Sequence, residues 1–247
     1  QGCARAGRLL DTITTGGMGH MEPSQGPKRV VIWGAKGPAL IVAEIIQMRG
    51  ELEIVGYLDN LSPDRKGTEF NGGKVLGGEE ELDRLLADGV RHVIFAFQNN
   101  RARLRLGAMV KAMGFELVTA IHPAASVSSQ ARIGAGSVVR AQAAIGPDTS
   151  VGENCIIGYG ATISHSCSIG DGVHLSSGVN VAGSVSIGEA SWIAVGVTII
   201  DKIRVGRNTL VGAGSVVTRD IPDNVVAYGV PARVVRENPD PCLSAQP

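Results

Sequence analysis

Between positions 127 and 217 every sixth residue is aliphatic: Val127, Ile133, Val139, Ile145, Val151, Ile157, Ile163, Ile169, Leu175, Val181, Ile187, Ile193, Ile199, Val205, Val211 and Val217. The residue after the aliphatic is often glycine, and the fourth after it is small or apolar, as at Ala131, Ser137, Ala143, Cys155, Ala161 and Val173. No helix has that period. It predicts a solenoid whose units bury their apolar residue only by stacking on one another. Each hexad reads as a short β-branched strand and a glycine-assisted corner, so three hexads close a triangular coil and the run makes about five coils. Residues eighteen apart should then lie one above the other at roughly 4.8 Å. The period does not set the handedness of the coil. The segment at 227–233 breaks the phase and is expected to cap the last coil, with a loose polar tail from Asn238 onward.

The pattern before the repeats is different. A strand at 30–33 ends at Gly34, and apolar positions at helical spacing (Leu40, Ile41, Ala43, Ile45, Ile46) follow Pro38, with Gly50 at the helix exit. Strands at 53–58, 74–76, 93–97 and 117–121 alternate with helices at 79–86 and 101–113. That alternation implies a parallel sheet with its ligand crevice at the carboxyl ends of the strands. Those ends carry Gly34-Ala35-Lys36-Gly37, Asp59-Asn60 and Gln98-Asn99-Asn100. The first is a glycine turn feeding a helix amino terminus, a place that favours a phosphate. Lys36 occupies the position where a dinucleotide fingerprint has glycine, so a nucleotide attached to something other than a redox carrier fits better; a tight turn with no ligand fits the same residues. The expected organisation is a tag or disordered leader at 1–27, an α/β domain at 28–121, the β-solenoid with its cap at 122–236 and a tail at 237–247. Gly19-His20-Met21 reads as a cloning junction with Met21 as the natural start.

Composition narrows the function. Lysine plus arginine equals aspartate plus glutamate, 23 each, which argues against a nucleic-acid or anionic-membrane surface. No apolar run approaches a membrane span. Cys3, Cys155, Cys167 and Cys242 have no metal or redox spacing and read as free thiols in a reducing cytoplasm. His20, His92 and His122 have no ligand spacing with the histidines of the repeats, so no metal is expected.

Inside the solenoid, His165 and His174 hold non-core positions half a coil apart, so they meet only across a subunit boundary. Gly183 lies one coil above His165, and Asp148 one coil below Ser166. A base, a backbone NH with no side chain in its way and a carboxylate one rung off are the parts an acyl transfer needs. A solvated corner histidine fits the same positions. Cys167 points inward, which leaves no cysteine nucleophile.

The hexapeptide run with Ile163-Ser164-His165-Ser166-Cys167-Ser168-Ile169-Gly170-Asp171-Gly172-Val173-His174, then Ala182-Gly183-Ser184-Val185-Ser186-Ile187-Gly188-Glu189, Val211-Gly212-Ala213-Gly214-Ser215 and Gly229-Val230-Pro231-Ala232-Arg233, resembles the bacterial nucleotide-sugar acetyltransferases of the left-handed β-helix superfamily. The subgroup it resembles comprises bacillosamine-pathway and perosamine N-acetyltransferases and sialic acid O-acetyltransferases. Gly34-Ala35-Lys36-Gly37, Tyr57-Leu58-Asp59-Asn60, Asn100 with Arg103, and His122-Pro123 match the Rossmann-like domain that its members place first. The resemblance implies a left-handed helix, a homotrimer, acetyl-CoA as cosubstrate and a nucleotide-linked amino sugar as acceptor. It implies His165 as general base, His174 and the Gly183 NH at the acetyl thioester, and Val195 and Ala213 along the coenzyme A groove. Gly37, Asp59 and Asn60, with Ala35, Lys36 and Gly77 beside them, fall in the nucleotide-sugar pocket. Two departures stand out. Ser166 replaces an acidic residue common after the base, so Asp148 is expected to supply the carboxylate, and Lys36 with Pro38-Ala39 replaces smaller residues in the glycine loop. The leading expectation is an N-acetyltransferase acting by direct transfer. The alternatives are an O-acetyltransferase of a sialic acid type sugar and a non-catalytic trimeric nucleotide-sugar-binding protein.

Overall fold

The computed structural model describes residues 28–238. The expected leader, the tail after Asn238, His20, Cys3 and Cys242 lie outside the described residues. The α/β domain forms where the alternation predicts it. Strands β1 (Lys28–Trp33), β2 (Leu52–Leu58), β3 (Glu69–Phe70), β4 (Gly73–Gly77), β5 (His92–Phe95) and β6 (Glu116–Leu117) make one sheet in the order β3-β4-β2-β1-β5-β6, parallel except at the β3–β4 hairpin. Helices α1 (Gly37–Arg49), α2 (Leu82–Ala87) and α3 (Asn100–Met113) pack around it. Pro38 sits in the first turn of α1, and Gly50 ends it at φ 67°. Chain order reverses between β1 and β5, which opens the crevice beside Gly34.

The sixteen hexads form sixteen two-residue strands, β8 (Ser126–Val127) to β23 (Val216–Val217), on three parallel faces. Pairing follows the eighteen-residue rule, as in Ser150↔Ser168 and His174↔Trp192. The first face contains Val138–Val139, Ile156–Ile157, His174–Leu175, Trp192–Ile193 and Leu210–Val211; the second contains Thr162–Ile163 and Asn180–Val181; the third contains Ser168–Ile169 and Ser186–Ile187. The periodic aliphatics from Val139 onward and the fourth residues after them form one continuous buried column. Where that fourth residue is polar it bonds to a neighbouring coil: Ser191 Oγ donates to Gly206 O at 2.7 Å and accepts from Thr209 N at 3.0 Å.

The structure corrects four expectations. The segment at 117–121 is not one strand: β6 stays with the first sheet, whereas β7 (Ala120–Ile121) pairs with Val138–Val139 as an additional rung. Ile121 lies six residues before Val127 and is in phase with the hexads. Second, the glycines after the aliphatics are not corner residues. Every sixth residue from Gly136 to Gly214 turns the corner at φ between 53° and 76°, Asp148 and Ser166 among them. The post-aliphatic glycines are needed because the next coil passes so close: a Cβ on Gly158 would lie 2.5 Å from the carbonyl carbon of Ser176. Third, the phase breaks before the cap, since Ile221 bridges Val205 and Leu210 pairs Val226 after sixteen residues. The hairpin of β24 (Val225–Gly229) and β25 (Ala232–Glu237) then covers the final rung. Fourth, Asn238 is 1% exposed and exchanges hydrogen bonds with Asn208, so the tail is anchored at its first residue.

Candidate active site

Arg103 fixes how the two domains meet. It is 1% exposed on α3 and donates to Phe97 O and Asn100 Oδ1 in its own domain and to Asn154 O and Gly172 O of the solenoid. A guanidinium has enough donors in one plane to bridge four acceptors, which a lysine has not. Asn100 adds bonds to Ala190 O and Ser191 O. The carboxyl ends of β1 and β5 are thereby turned toward the first face of the solenoid near Trp192.

In that crevice the expected pocket residues come together. Asp59 N bonds to Gly77 O at 2.8 Å. The Asp59 carboxylate, 6% exposed, accepts from Leu61 N and from Arg65 Nη1, and the same Arg65 nitrogen reaches Ala35 O at 2.6 Å. Asn60 Oδ1 accepts from Trp33 Nε1 at 3.0 Å, which turns its amide NH₂ away from Trp33. A Cβ on Gly37 would meet nothing within 4 Å, and Lys36 beside it is exposed, so the mouth of the glycine turn is open. Arg65 and Trp33 were not read from the sequence; Arg65 sits in a polar loop without periodic signal, and Trp33 looked like ordinary strand core.

The corner between the second and third faces carries the second group. Asp148 and Ser166 hold equivalent corner positions one coil apart at φ 55° and 56°, which points their side chains along the same column. Ser166 Oγ lies 3.2 Å from Asp148 Oδ2, and His165 Nδ1 lies 3.4 Å from Ser166 Oγ. The serine has one proton; given to the carboxylate, it leaves the hydroxyl oxygen to accept from Nδ1–H. In that arrangement the tautomer is the one with its proton on Nδ1 and with Nε2 bare. Gly183 stands over the ring: a Cβ there would lie 2.7 Å from His165 Nε2. His165 and Ser166 are exposed.

His174 departs from expectation. It is 3% exposed, stacks on Trp192 with ring centroids 5.5 Å apart and planes 6° from parallel, and leaves Nδ1 without a hydrogen-bond partner. Burial first, then the charges of Arg103 and Arg140, hold its pKa down at about 3, so it is neutral. Val195 is 58% exposed and Ala213 is exposed directly above it, with Gly214 N bonded to Val195 O. Both lie on the corner between the first and second faces, a full face away from His165 and Gly183. The buried thiols are inert, since burial pushes Cys155 up to about 11 and raises Cys167. Among the described residues no group of three or more His, Cys, Asp or Glu is placed to hold a metal ion, and no helix is long and apolar enough to cross a membrane.

Two family patterns match the chain: "PglD N-terminal domain" at residues 29–110 and "Bacterial transferase hexapeptide (six repeats)" at 130–165 and 148–183. The chain is similar to PerB from Caulobacter crescentus, solved in complex with CoA and GDP-perosamine (38% identity, TM-score 0.79, covering 83% of this chain and 96% of that one). It is also similar to the acetyltransferase domain of PglB from Neisseria gonorrhoeae in complex with acetyl coenzyme A (34% identity, TM-score 0.79, 85% and 100% covered). A UDP-N-acetylbacillosamine N-acetyltransferase of Bacillus subtilis is 37% identical over 119 residues, 46% of this chain and 52% of that protein, so the match spans about half the length of this curated relative. Matches to galactoside O-acetyltransferases are confined to short segments, as with that of Escherichia coli (71% identity over 28 residues, 14% of its length).

Proposed function

Because this chain belongs to the bacterial sugar acetyltransferases that join a PglD-type amino-terminal domain to a left-handed hexapeptide β-helix, we propose that it transfers an acetyl group from acetyl-CoA to the amine of a nucleotide-linked amino sugar. The observation that carries this reading is the ordered column Asp148–Ser166–His165 beneath Gly183. In the proposed mechanism His165 Nε2 takes a proton from the acceptor amine as its nitrogen bonds the acetyl carbon. The carbon–sulfur bond then breaks, and the departing coenzyme A thiolate ends with the proton that His165 had accepted, which returns the imidazole to neutral. Ser166 and Asp148 hold the ring and favour the imidazolium that forms, the role an adjacent acid would otherwise fill. The unhindered Gly183 NH is suited to the carbonyl oxygen as charge builds there. No acyl-enzyme is needed, and the buried thiols suit that.

We further infer that the working form is a homotrimer. A groove touching His165 and Gly183 on one corner and Val195 and Ala213 on another needs a second copy of the prism, and three copies close the arrangement with their second faces inward. The exposed apolar residues Tyr159, Val195 and Ile200 along those corners favour such burial. A monomer in sedimentation velocity would remove this part of the reading. We further propose a cytoplasmic reaction, a compartment in which free thiols such as Cys155 and Cys167 stay reduced.

The test is release of coenzyme A thiol from acetyl-CoA with UDP-, GDP- and dTDP-linked 4-amino sugars and free sialic acid, run beside His165→Ala. Turnover on one amino sugar that falls about 10²- to 10⁴-fold in the variant is expected, the range for loss of a general base. Undiminished turnover in His165→Ala removes the histidine from the mechanism, and turnover on sialic acid alone replaces N- with O-acetylation.

A further inference from the structure

Arg140 follows Val139 on the corner between the first and second faces. Its guanidinium lies over the Tyr159 ring, 5.4 Å from the centroid, and its Nε is buried with no hydrogen-bond partner. No carboxylate among the described residues pairs with it. Burial works against its charge and lowers its pKa. Beside it is a second unanswered group: His174 Nδ1, in a side chain 3% exposed and near enough for the Arg140 charge to act on it. A half-buried guanidinium whose Nε has no partner and which lacks a counter-ion is costly to keep charged, and an anion supplied from outside the chain offsets that cost.

Position indicates which anion. The α/β crevice abuts the first face at Ala190 and Ser191 through Asn100. From there Trp192, stacked on His174 and bonded through Nε1 to Ser176 Oγ, leads across the face toward the corner of Arg140 and Tyr159. Val195 and Ala213, the proposed coenzyme side, occupy the same corner two and three coils above Tyr159 and its rung. Arg140 is thus at the lower end of the corner that, in the proposed trimer, faces His165 of a neighbouring copy.

We propose that Arg140 is a specificity-determining residue of the acceptor site, where it receives an oxyanion carried by the acceptor: a phosphate of the nucleotide diphosphate or a carboxylate on the sugar. Tyr159 holds the guanidinium in place, and the neutral His174 adds a hydrogen bond. The inference rests on the transferase reading above for which side the acceptor enters.

The test titrates the wild type, Arg140→Gln and Arg140→Lys with UDP, GDP, dTDP and free N-acetylneuraminic acid, with acetyl-CoA titrated beside each as a control for folding. The nucleotides carry phosphates and no sugar carboxylate; the sialic acid carries the reverse. A loss of about 30-fold in Arg140→Gln, the scale of one charge-assisted hydrogen bond, partly restored in Arg140→Lys, is expected for the probe that supplies the oxyanion. Loss confined to a nucleotide assigns a phosphate, and loss confined to the sialic acid a carboxylate. Equal affinity of wild type and Arg140→Gln for all four probes overturns the proposal while acetyl transfer by the wild type leaves the enzyme reading standing. A wild type that binds none of the probes overturns the proposal, and it overturns the enzyme reading as well only if no acceptor gives thiol release from acetyl-CoA.

Discussion

Gly183→Ala is the sharpest perturbation of the proposed base. The new Cβ would lie 2.7 Å from His165 Nε2 and 2.8 Å from Cε1, so the ring must retreat by roughly 0.7 Å to reach ordinary contact at 3.4 Å. His165 is exposed and swings outward at a cost of about 1 kcal/mol. It thereby gives up its contact with Ser166, already 3.4 Å long. Displacing a catalytic group by about 1 Å costs on the order of 10²-fold in rate, or about 2.7 kcal/mol of barrier. Stability should fall by no more than that about 1 kcal/mol, because Gly183 lies outside the left-handed region and the clash is with an exposed side chain that can move. Gly170→Ala is the control. Its Cβ would also meet an atom at 2.7 Å, but that atom is the backbone nitrogen of Glu189, which cannot swing away. Overpacking of about 1–3 kcal/mol there should lower Tm by roughly 3–9 °C.

The assay is steady-state thiol release by wild type, Gly183→Ala, His165→Ala and the double variant, with Tm measured in parallel. If the methyl acts through the imidazole, Gly183→Ala costs about 10² in the wild-type background and nothing further in His165→Ala. Equal losses in both backgrounds would mean that the methyl obstructs the thioester instead. A Gly183→Ala enzyme with wild-type kcat would refute the placement of the base.

Ser166→Ala, Asp148→Asn and the double variant should each lower kcat by a similar factor of about 10 with unchanged KM for acetyl-CoA, because one broken link disables the whole relay; additive losses, or a neutral Asp148→Asn, refute the relay in kinetic assays. His174 supplies a pH signature. Its pKa is about 3 folded against 6.5 unfolded, so the unfolded chain binds the extra proton and stability falls as pH drops from 6.5 toward 3. Between pH 7 and 5 this amounts to about 2 kcal/mol, read as a steeper loss in urea unfolding for wild type than for His174→Gln; equal slopes refute it.

Arithmetic on the hexads made much of this legible beforehand. Sixteen aliphatics at one spacing fix the strands and the pairing, and the same spacing stacks Gly183 over His165 and Asp148 under Ser166. What failed to be legible was whatever the period does not govern. The handedness of the coil was one such feature. So was the two-residue slip before Ile221, and so was the anchoring of Asn238 by Asn208, a contact between residues thirty apart. His174 looked like an open corner residue, although the eighteen-residue rule sets Trp192 directly above it, where the two rings stack. Ile121 was a different kind of miss: its phase was correct, and only its adjacency to the α/β strands hid it.

The prism also constrains how selectivity can arise. A solenoid rung offers outward positions only at corners and on flat faces, so a single copy cannot wrap a sugar. Chemistry at His165 needs a wall from elsewhere, and the proposed trimer supplies it from a corner of the next prism. That corner holds Val195 and Ala213 above and Arg140 with Tyr159 below, and the α/β domain leans on the adjoining face through Asn100 and Arg103. On this arrangement the hexad that holds the base sets the reaction, whereas the side chains on the neighbouring corner and in the crevice set the acceptor. Substitutions at Asp148, Ser166 or Gly183 should therefore change kcat for every acceptor alike, and substitutions at Arg140 or Asn60 should change the ranking of acceptors; a ranking altered by Ser166→Ala and untouched by Arg140→Gln would contradict that division.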